Sequence, residues 1–340
     1  MSDSILRSRL PIVAAPMAGG PSTVALGRAV ASAGGFPFLA GGYKTPGALA
    51  AEIAELRASA PEFGVNLFVP SHDTPDGQAF AAYAAELADE AAVYGLTLDP
   101  APTSDDDAWD AKLALLIAHP VPIVSFTFGL PEPAVIASLQ AVGTRVLASV
   151  ITPEEAVLAR DAGVDALVVQ GPGAGGHSAT FDAVRPIDGV SAVDLVRAVL
   201  AVVDLPVVAA GGVDGPDGVR HLLEAGAVGV SVGTMLLRTD EAGTSPTHRA
   251  ALGDLRFTET VVTSVFTGRP ARALRNGFVD RHQGTGVLAY PAVHHLTRAL
   301  RQAAGRAGDA ERLHLWAGTG WRTAPTGPAA AVIDWLAGGV

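Results

Sequence analysis

A single histidine, His177, sits in a glycine-rich run, QGPGAGGHSATF (residues 170–181), directly after the short branched apolar stretch ALVV (166–169). An imidazole, with an unperturbed pKa of about 6.5, takes a proton at neutral pH or lends positive charge to an anion. The glycines leave the ring room to reach a ligand and let the backbone approach a flat one closely. The run also spells G-x-G-x-x-G over residues 171–176. A dinucleotide-binding loop of that form must open a helix and be followed by a strand ending in an acid about 20 residues on. Here HSATFDAVRP follows, and Asp194 falls within a helical stretch, so that reading is set aside.

Two further loops have the composition of a phosphate cradle. They are AAGGVDGPDGV from Ala209, which includes Gly212, and, one helix and strand later, Ser231, Val232, Gly233 and Thr234. Glycine frees backbone N–H groups to point at an anion, and both loops emerge at the same end of a parallel sheet. No Lys or Arg occurs between Leu205 and Arg220. Amides and the Thr234 hydroxyl must therefore do the binding, each charge-assisted bond worth about 1.5–3 kcal/mol. Turn-making alone explains one glycine loop, whereas two in register favour phosphate. Met17, in PIVAAPM, and Asn66, in GVNLFV, belong to strand ends that open on the same side. Taken singly, Met17 reads as core and Asn66 as a turn residue.

The other eight histidines (His72, His119, His221, His248, His282, His294, His295 and His314) show no ligand-like spacing. Adjacent His294 and His295 point to different helix faces, so no metal site is expected. Zero cysteines exclude disulfides, thiolate zinc sites, cysteine nucleophiles and Cys-ligated iron–sulfur clusters. No G-x-S-x-G, H-E-x-x-H or Walker lysine motif is present. A net charge of -11 and a pI near 5.2 argue against nucleic acid or an anionic membrane as partner. The densest basic stretch, residues 269–281, is broken by Asp280. Mean hydropathy is +0.33, yet charges, prolines and glycines interrupt every apolar run before the length of about 18 that a membrane span needs. The start, MSDSILRSRLPIVAAPM, lacks the basic start followed by a longer apolar core that a secretory signal shows, so a cytoplasmic location is the default expectation. The oligomeric state is left open, a homo-oligomer included.

The elements that must position these residues follow a repeated unit of helix, glycine and strand, beginning at Ala25, Ala134, Ala156 and Val219. Gly34, Gly143, Gly163 and Gly226 close the helices, since glycine enters the left-handed region without a Cβ penalty. Thr152-Pro153-Glu154-Glu155 supplies an N-cap, a proline at the first helical position and a capping-box glutamate, and Ser191 with Asp194 a weaker version. Apolar stretches at residues 12–16, 36–40, 64–69, 123–128, 145–150, 166–169, 206–210 and 229–232 make eight strands. Eight strands alternating with helices predict a (β/α)₈ barrel of about 250 residues. The remaining residues predict two helical insertions in a single domain, at about 70–120 after strand 3 and at about 238–306 after strand 8. The acidic turn at 105–107 reads as a solvated face, and the second insertion as a lid over the barrel mouth.

From about Leu10 to its C-terminus the chain resembles the nitronate monooxygenase (2-nitropropane dioxygenase) family. The shared motifs are APM at Ala15, GVN at Gly64, QGxxAGGH at Gln170, AGG at Ala210, GT at Gly233, TGRPAR at Thr267 and WAGTG at Trp316. The resemblance implies an FMN-dependent barrel enzyme that oxidises an alkyl nitronate with O2 to a carbonyl compound and nitrite. It implies FMN contacts at Met17, Asn66, Gln170, Gly175, Gly212, Ser231, Val232, Gly233 and Thr234, with His177 as the catalytic acid/base. For a neutral nitroalkane His177 would abstract the α-proton; for a preformed nitronate its protonated form would stabilise the anion. Tyr290, in the second insertion, is either a substrate contact or an ordinary rim tyrosine. The chain departs from the family pattern at Gly173, where a glutamate or other larger residue is frequent, at Ser231, where glutamine is, and at Ser178-Ala179, where Arg-Gly is. Two other readings stay open: an NAD(P)H-dependent flavin reductase of a quinone or enoyl thioester, and a flavin-binding protein without turnover.

Overall fold

The computed structural model describes residues 5–71, 75–187 and 189–340, so His72 lies outside it. Eleven strands occur among these residues: β1 (Ile12–Ala14), β2 (Phe36–Ala40), β3 (Gly64–Phe68), β4 (Ile123–Thr127), β5 (Arg145–Val150), β6 (Ala166–Gln170), β7 (Gly176–His177), β8 (Val207–Ala210), β9 (Gly229–Val232), β10 (Thr260–Thr263) and β11 (Ala271–Leu274). All but β7, β10 and β11 form a closed parallel barrel, sealed where β9 pairs with β1 through Ile12↔Val230 and Ala14↔Val232. These are the eight strands expected from sequence, within two residues at each end. β1 stops at Ala14, short of Pro16, and β8 starts at Val207, just after Pro206.

Side chains alternate along each strand, and this divides the core in two. Val13, Phe36, Phe38, Ile123, Leu147, Ala166 and Val208 fill the barrel interior, closed from below by Ile5 and Leu6. The fit depends on two glycines. A Cβ at Gly64 would lie 2.2 Å from the Phe38 ring, and one at Gly229 2.5 Å from Leu6. Outward-facing residues, Val230 and Val232 among them, pack against the surrounding helices in the larger cluster.

Helix ends follow the expected chemistry. Gly34, Gly143, Gly163 and Gly226 have φ of 90°, 87°, 90° and 107°. The Thr152 hydroxyl accepts from Glu155 N–H at 3.2 Å. The Glu155 carboxylate does more than close a capping box. It accepts from Ile151 N–H at 2.8 Å and also from Phe181 N–H at 2.9 Å, tying a helix start to the end of the His177 loop.

Between β3 and β4 lie the helices Gly77–Glu86, Ala88–Ala92 and Trp109–Ala118. After β9 come Pro246–Ala251, Gly277–His282 and Ala292–Ala307, together with β10 and β11, so this insertion is not helical alone. The two insertions share one apolar cluster that includes Phe80, Tyr83, Phe266, Phe278 and Val293. Polar contacts reinforce it: Tyr83 O–H donates to Val265 C=O at 2.6 Å, and the His282 ring lies 2.7 Å from Glu86 and 3.1 Å from Glu90. β10, β11 and β7 form a separate antiparallel sheet in that order. Among the described residues no helix is long and apolar enough to cross a membrane.

Candidate active site

The carboxyl ends of the barrel strands open into a cavity of about 1200 Å³. Among the described residues lining it there is no Asp or Glu, whereas Arg298, Arg301 and Arg306 all reach it, along with Lys44, which pairs with Glu52. In a chain with 34 acidic and 23 basic residues, such a wall sets a local field that draws anions against the overall charge.

His177 is held in this wall by the TGRPAR segment. It pairs with Ala271 across β7 and β11, and Ser178 N–H donates to Pro270 C=O at 2.8 Å. Arg272 Nε donates to Pro172 C=O at 2.9 Å, fixing the start of the glycine turn to the same segment. Gln170 braces the turn from the barrel side: its Nε2 donates to His177 C=O at 3.2 Å and its Oε1 accepts from Ala179 N–H at 2.8 Å. His177 Nε2 lies 2.9 Å from Thr267 Oγ1, and the other ring nitrogen bonds to no described group. Burial, followed by the positive charges of Arg269 and Arg301, lowers the imidazole pKa to about 3. At neutral pH the ring is uncharged and carries a free lone pair.

Aromatic rings enclose it. Phe128, Tyr290 and Trp316 lie 5.6, 5.6 and 5.5 Å from the His177 ring, and the Arg269 guanidinium stacks 4.1 Å above Phe128. Phe128 adopts φ 80°, a strained conformation for a bulky residue, held here by that stacking. Tyr290 does not itself line the cavity. Its hydroxyl donates to Tyr43 Oη at 3.1 Å, and Tyr43 is the one that faces inward. Tyr43 N–H donates in turn to Asp107 at 3.0 Å, and Asp107 pairs with buried Lys112 at 2.7 Å. Asp105 and Asp106 are exposed, as expected of a solvated face, while Asp107 anchors a cavity residue.

All of the expected cofactor contacts line the same cavity. Asn66 donates from Nδ2 to Ser125 C=O, Ser125 Oγ and Thr127 Oγ1 at 3.1, 2.9 and 3.0 Å, which turns its Oδ1 away from those partners. Met17 stands over Gly233, where a Cβ would lie 3.4 Å from the Met17 sulfur. Ser231 faces the cavity, while Val232 packs outward into the core, so its contribution there is backbone. Thr234 Oγ1 accepts from Gly318 N–H at 2.9 Å and keeps its own hydrogen to donate. No turn or loop hydrogen bond is made by the N–H of Gly212, Gly233 or Thr234 among the described residues.

A flavin phosphate fits this cradle, because these N–H groups and the Thr234 hydroxyl remain to donate, and glycines let the surrounding backbones converge. A Cβ at Gly175 would lie 2.5 Å from Ala317 C, one at Gly318 2.6 Å from Gly173 O, and one at Gly211 2.6 Å from Gly171 O. Gly173 fits the same pattern, and a larger residue there would strike Gly212.

Sequence reading missed much of the wall. His248, His294 and His314 line the cavity with His177, although nothing in their spacing unites them. Burial lowers the His248 pKa to about 4 and also holds those of His294 and His314 well below the usual value. Arg301 is buried and has no carboxylate partner among the described residues. It donates to Thr297 Oγ1 at 2.9 Å and His294 C=O at 2.9 Å, and its pKa, lowered to about 10 by desolvation, leaves it charged. The available signal was the spacing of Arg298, Arg301, Gln302, Gly305 and Arg306 on one helix face.

A model of the nitronate monooxygenase family matches residues 4–338. A protein of Staphylococcus aureus strain Newman described as "Probable nitronate monooxygenase" is 32% identical over 337 residues, covering 97% of this chain and 94% of its own length. Among solved structures, nitroalkane oxidase from Streptomyces ansochromogenes matches with a TM-score of 0.92 at 44% identity, over 97% of this chain and 96% of that one. FabK from Thermotoga maritima matches with a TM-score of 0.75 at 26% identity, over 98% and 93%.

Proposed function

The chain belongs to the nitronate monooxygenase family, and on that premise we propose that it binds FMN at the barrel mouth and uses O2 to oxidise alkyl nitronates, and nitroalkanes deprotonated by His177, to a carbonyl compound and nitrite. Membership makes it an oxidoreductase of the nitronate and nitroalkane class that works with a flavin. The feature that carries the reading is an uncharged histidine with one unpartnered ring nitrogen, set in an acid-free cavity beside a glycine cradle.

Gly212, Gly233 and the Thr234 hydroxyl would hold the FMN phosphate, with Met17, Asn66 and Gly175 along the rest of the cofactor. FMN, when bound, supplies the redox chemistry, taking electrons from the nitronate and delivering them to O2. The His177 imidazole removes the α-proton of a neutral nitroalkane, and the electron pair left behind spreads onto the nitro oxygens. The charged Arg301 wall, free of competing carboxylates, stabilises that anion. Phe128, Trp316 and Tyr43 keep water from the reacting carbon. The lowered His177 pKa keeps the ring neutral with its lone pair available, which speaks against a role as a standing cation.

Anaerobic mixing of the purified flavoprotein with a nitroalkane, its preformed nitronate, NADH and NADPH tests the proposal. Bleaching by the nitro compounds and not by the nicotinamides is expected. Rapid bleaching by NADH or NADPH alone would assign the chain to flavin reductases, and no bleaching by any of them to a binding protein without turnover.

A further inference from the structure

We infer that Thr267 is a positioning residue that fixes His177 as its Nε2–H tautomer, leaving Nδ1 as the nitrogen that takes the substrate proton. The inference rests on the acid/base reading of His177 and adds which nitrogen acts and what selects it.

Thr267 is 1% exposed, and its hydroxyl has two neighbours: His177 Nε2 at 2.9 Å and Arg269 C=O at 3.3 Å. A carbonyl only accepts, so with the single hydroxyl hydrogen directed at Arg269 C=O the oxygen lone pair faces the ring. Nε2 must then carry a proton. Arg269 is a fixed acceptor because its guanidinium stacks on Phe128 and donates to Thr180 C=O. His177 Nδ1 has no described partner and is not among the side-chain atoms sealed from solvent without one, so its lone pair opens toward the cavity that His177 lines. A hydroxyl acceptor also suits the task. A carboxylate in its place would favour the imidazolium, whereas Thr267 orients the ring and leaves it neutral. The β-branched side chain has restricted rotation, which holds the oxygen in place.

The step is a proton transfer: the α-carbon to hydrogen bond breaks, an Nδ1 to hydrogen bond forms, and the freed pair becomes the nitronate π-system. Thr267→Val keeps the shape and removes the acceptor; Thr267→Ser keeps the acceptor. The expected result for Thr267→Val is a fall of about 10-fold or more in anaerobic flavin reduction by a neutral nitroalkane, with a smaller effect on the preformed nitronate, which needs no base. Thr267→Ser should recover most of the loss. In the wild-type holoenzyme, 15N NMR of labelled histidine, assigned with His177→Asn, should show a protonated Nε2 and an unprotonated Nδ1. A proton on Nδ1 in the wild type would overturn the inference, as would a Thr267→Val variant with an unchanged nitroalkane-to-nitronate rate ratio. If His177→Asn reduces as fast as wild type, the acid/base reading itself fails. If that variant is inactive while Thr267→Val matches wild type in rate and spectrum, only the role of Thr267 fails.

Discussion

Gly173 and Gly212 come so close that a Cβ on the first would lie 2.9 Å from Cα of the second and 2.8 Å from the Thr319 hydroxyl. One glycine belongs to the loop that carries His177 and the other to the loop expected to hold phosphate, so their contact couples the base to the cofactor cradle.

Gly173→Ala is expected to separate those loops. Overpacking of this kind costs about 1–3 kcal/mol, which weakens FMN affinity about 10- to 100-fold. Titration of the flavin-free protein with FMN by fluorescence quenching checks it; unchanged affinity would show that the contact only shapes a turn.

His177 has a pKa lowered to about 3, so its neutral form persists well below the usual value of about 6.5. Flavin reduction by a neutral nitroalkane should stay flat from about pH 8 to pH 5, falling only as pH nears the lowered pKa. Stopped-flow rates across pH measure this, and a limb near 6.5 would contradict it.

Arg301 is one of the two charges that depress His177. Arg301→Gln should move the acid limb upward and raise KM for an anionic nitronate by about 10-fold, the loss of one charge-assisted contact, with less effect on a neutral nitroalkane. In the wild type, kcat/KM for the nitronate should fall with added salt more than for the nitroalkane, since the mouth attracts anions by charge.

His248 and His294 are buried with lowered pKa values. Between the unfolded value near 6.5 and those lowered values, the unfolded chain binds protons that the folded one does not, so stability falls as pH falls. Each such group contributes up to about 1.4 kcal/mol per pH unit. Tm should drop steeply below about pH 6, and replacing His248 with Asn should flatten the slope.

The barrel was legible because its signals are local. Glycine at a helix end, a capping threonine and a four- to six-residue branched run each state their structure within a few positions, and the loops at Gly212 and Gly233 inherit their place from strand order. The rest of the wall was not, because it comes from packing between distant insertions. Nothing near Tyr43 announces that Asp107 holds its backbone, and nothing near His177 announces Thr267, 90 residues away. TGRPAR was visible as a motif, yet its work as the strand that clamps His177 depends on a pairing that only the fold creates. Tyr290 illustrates the opposite case: it lies beside the site but contributes by holding Tyr43.

The most direct measurement is anaerobic flavin reduction by a neutral nitroalkane in His177→Asn. FMN should remain bound, with its visible spectrum intact, while the reduction rate falls by about 10²-fold or more. A variant that binds FMN and reduces at the wild-type rate would contradict the assignment of His177 as the base.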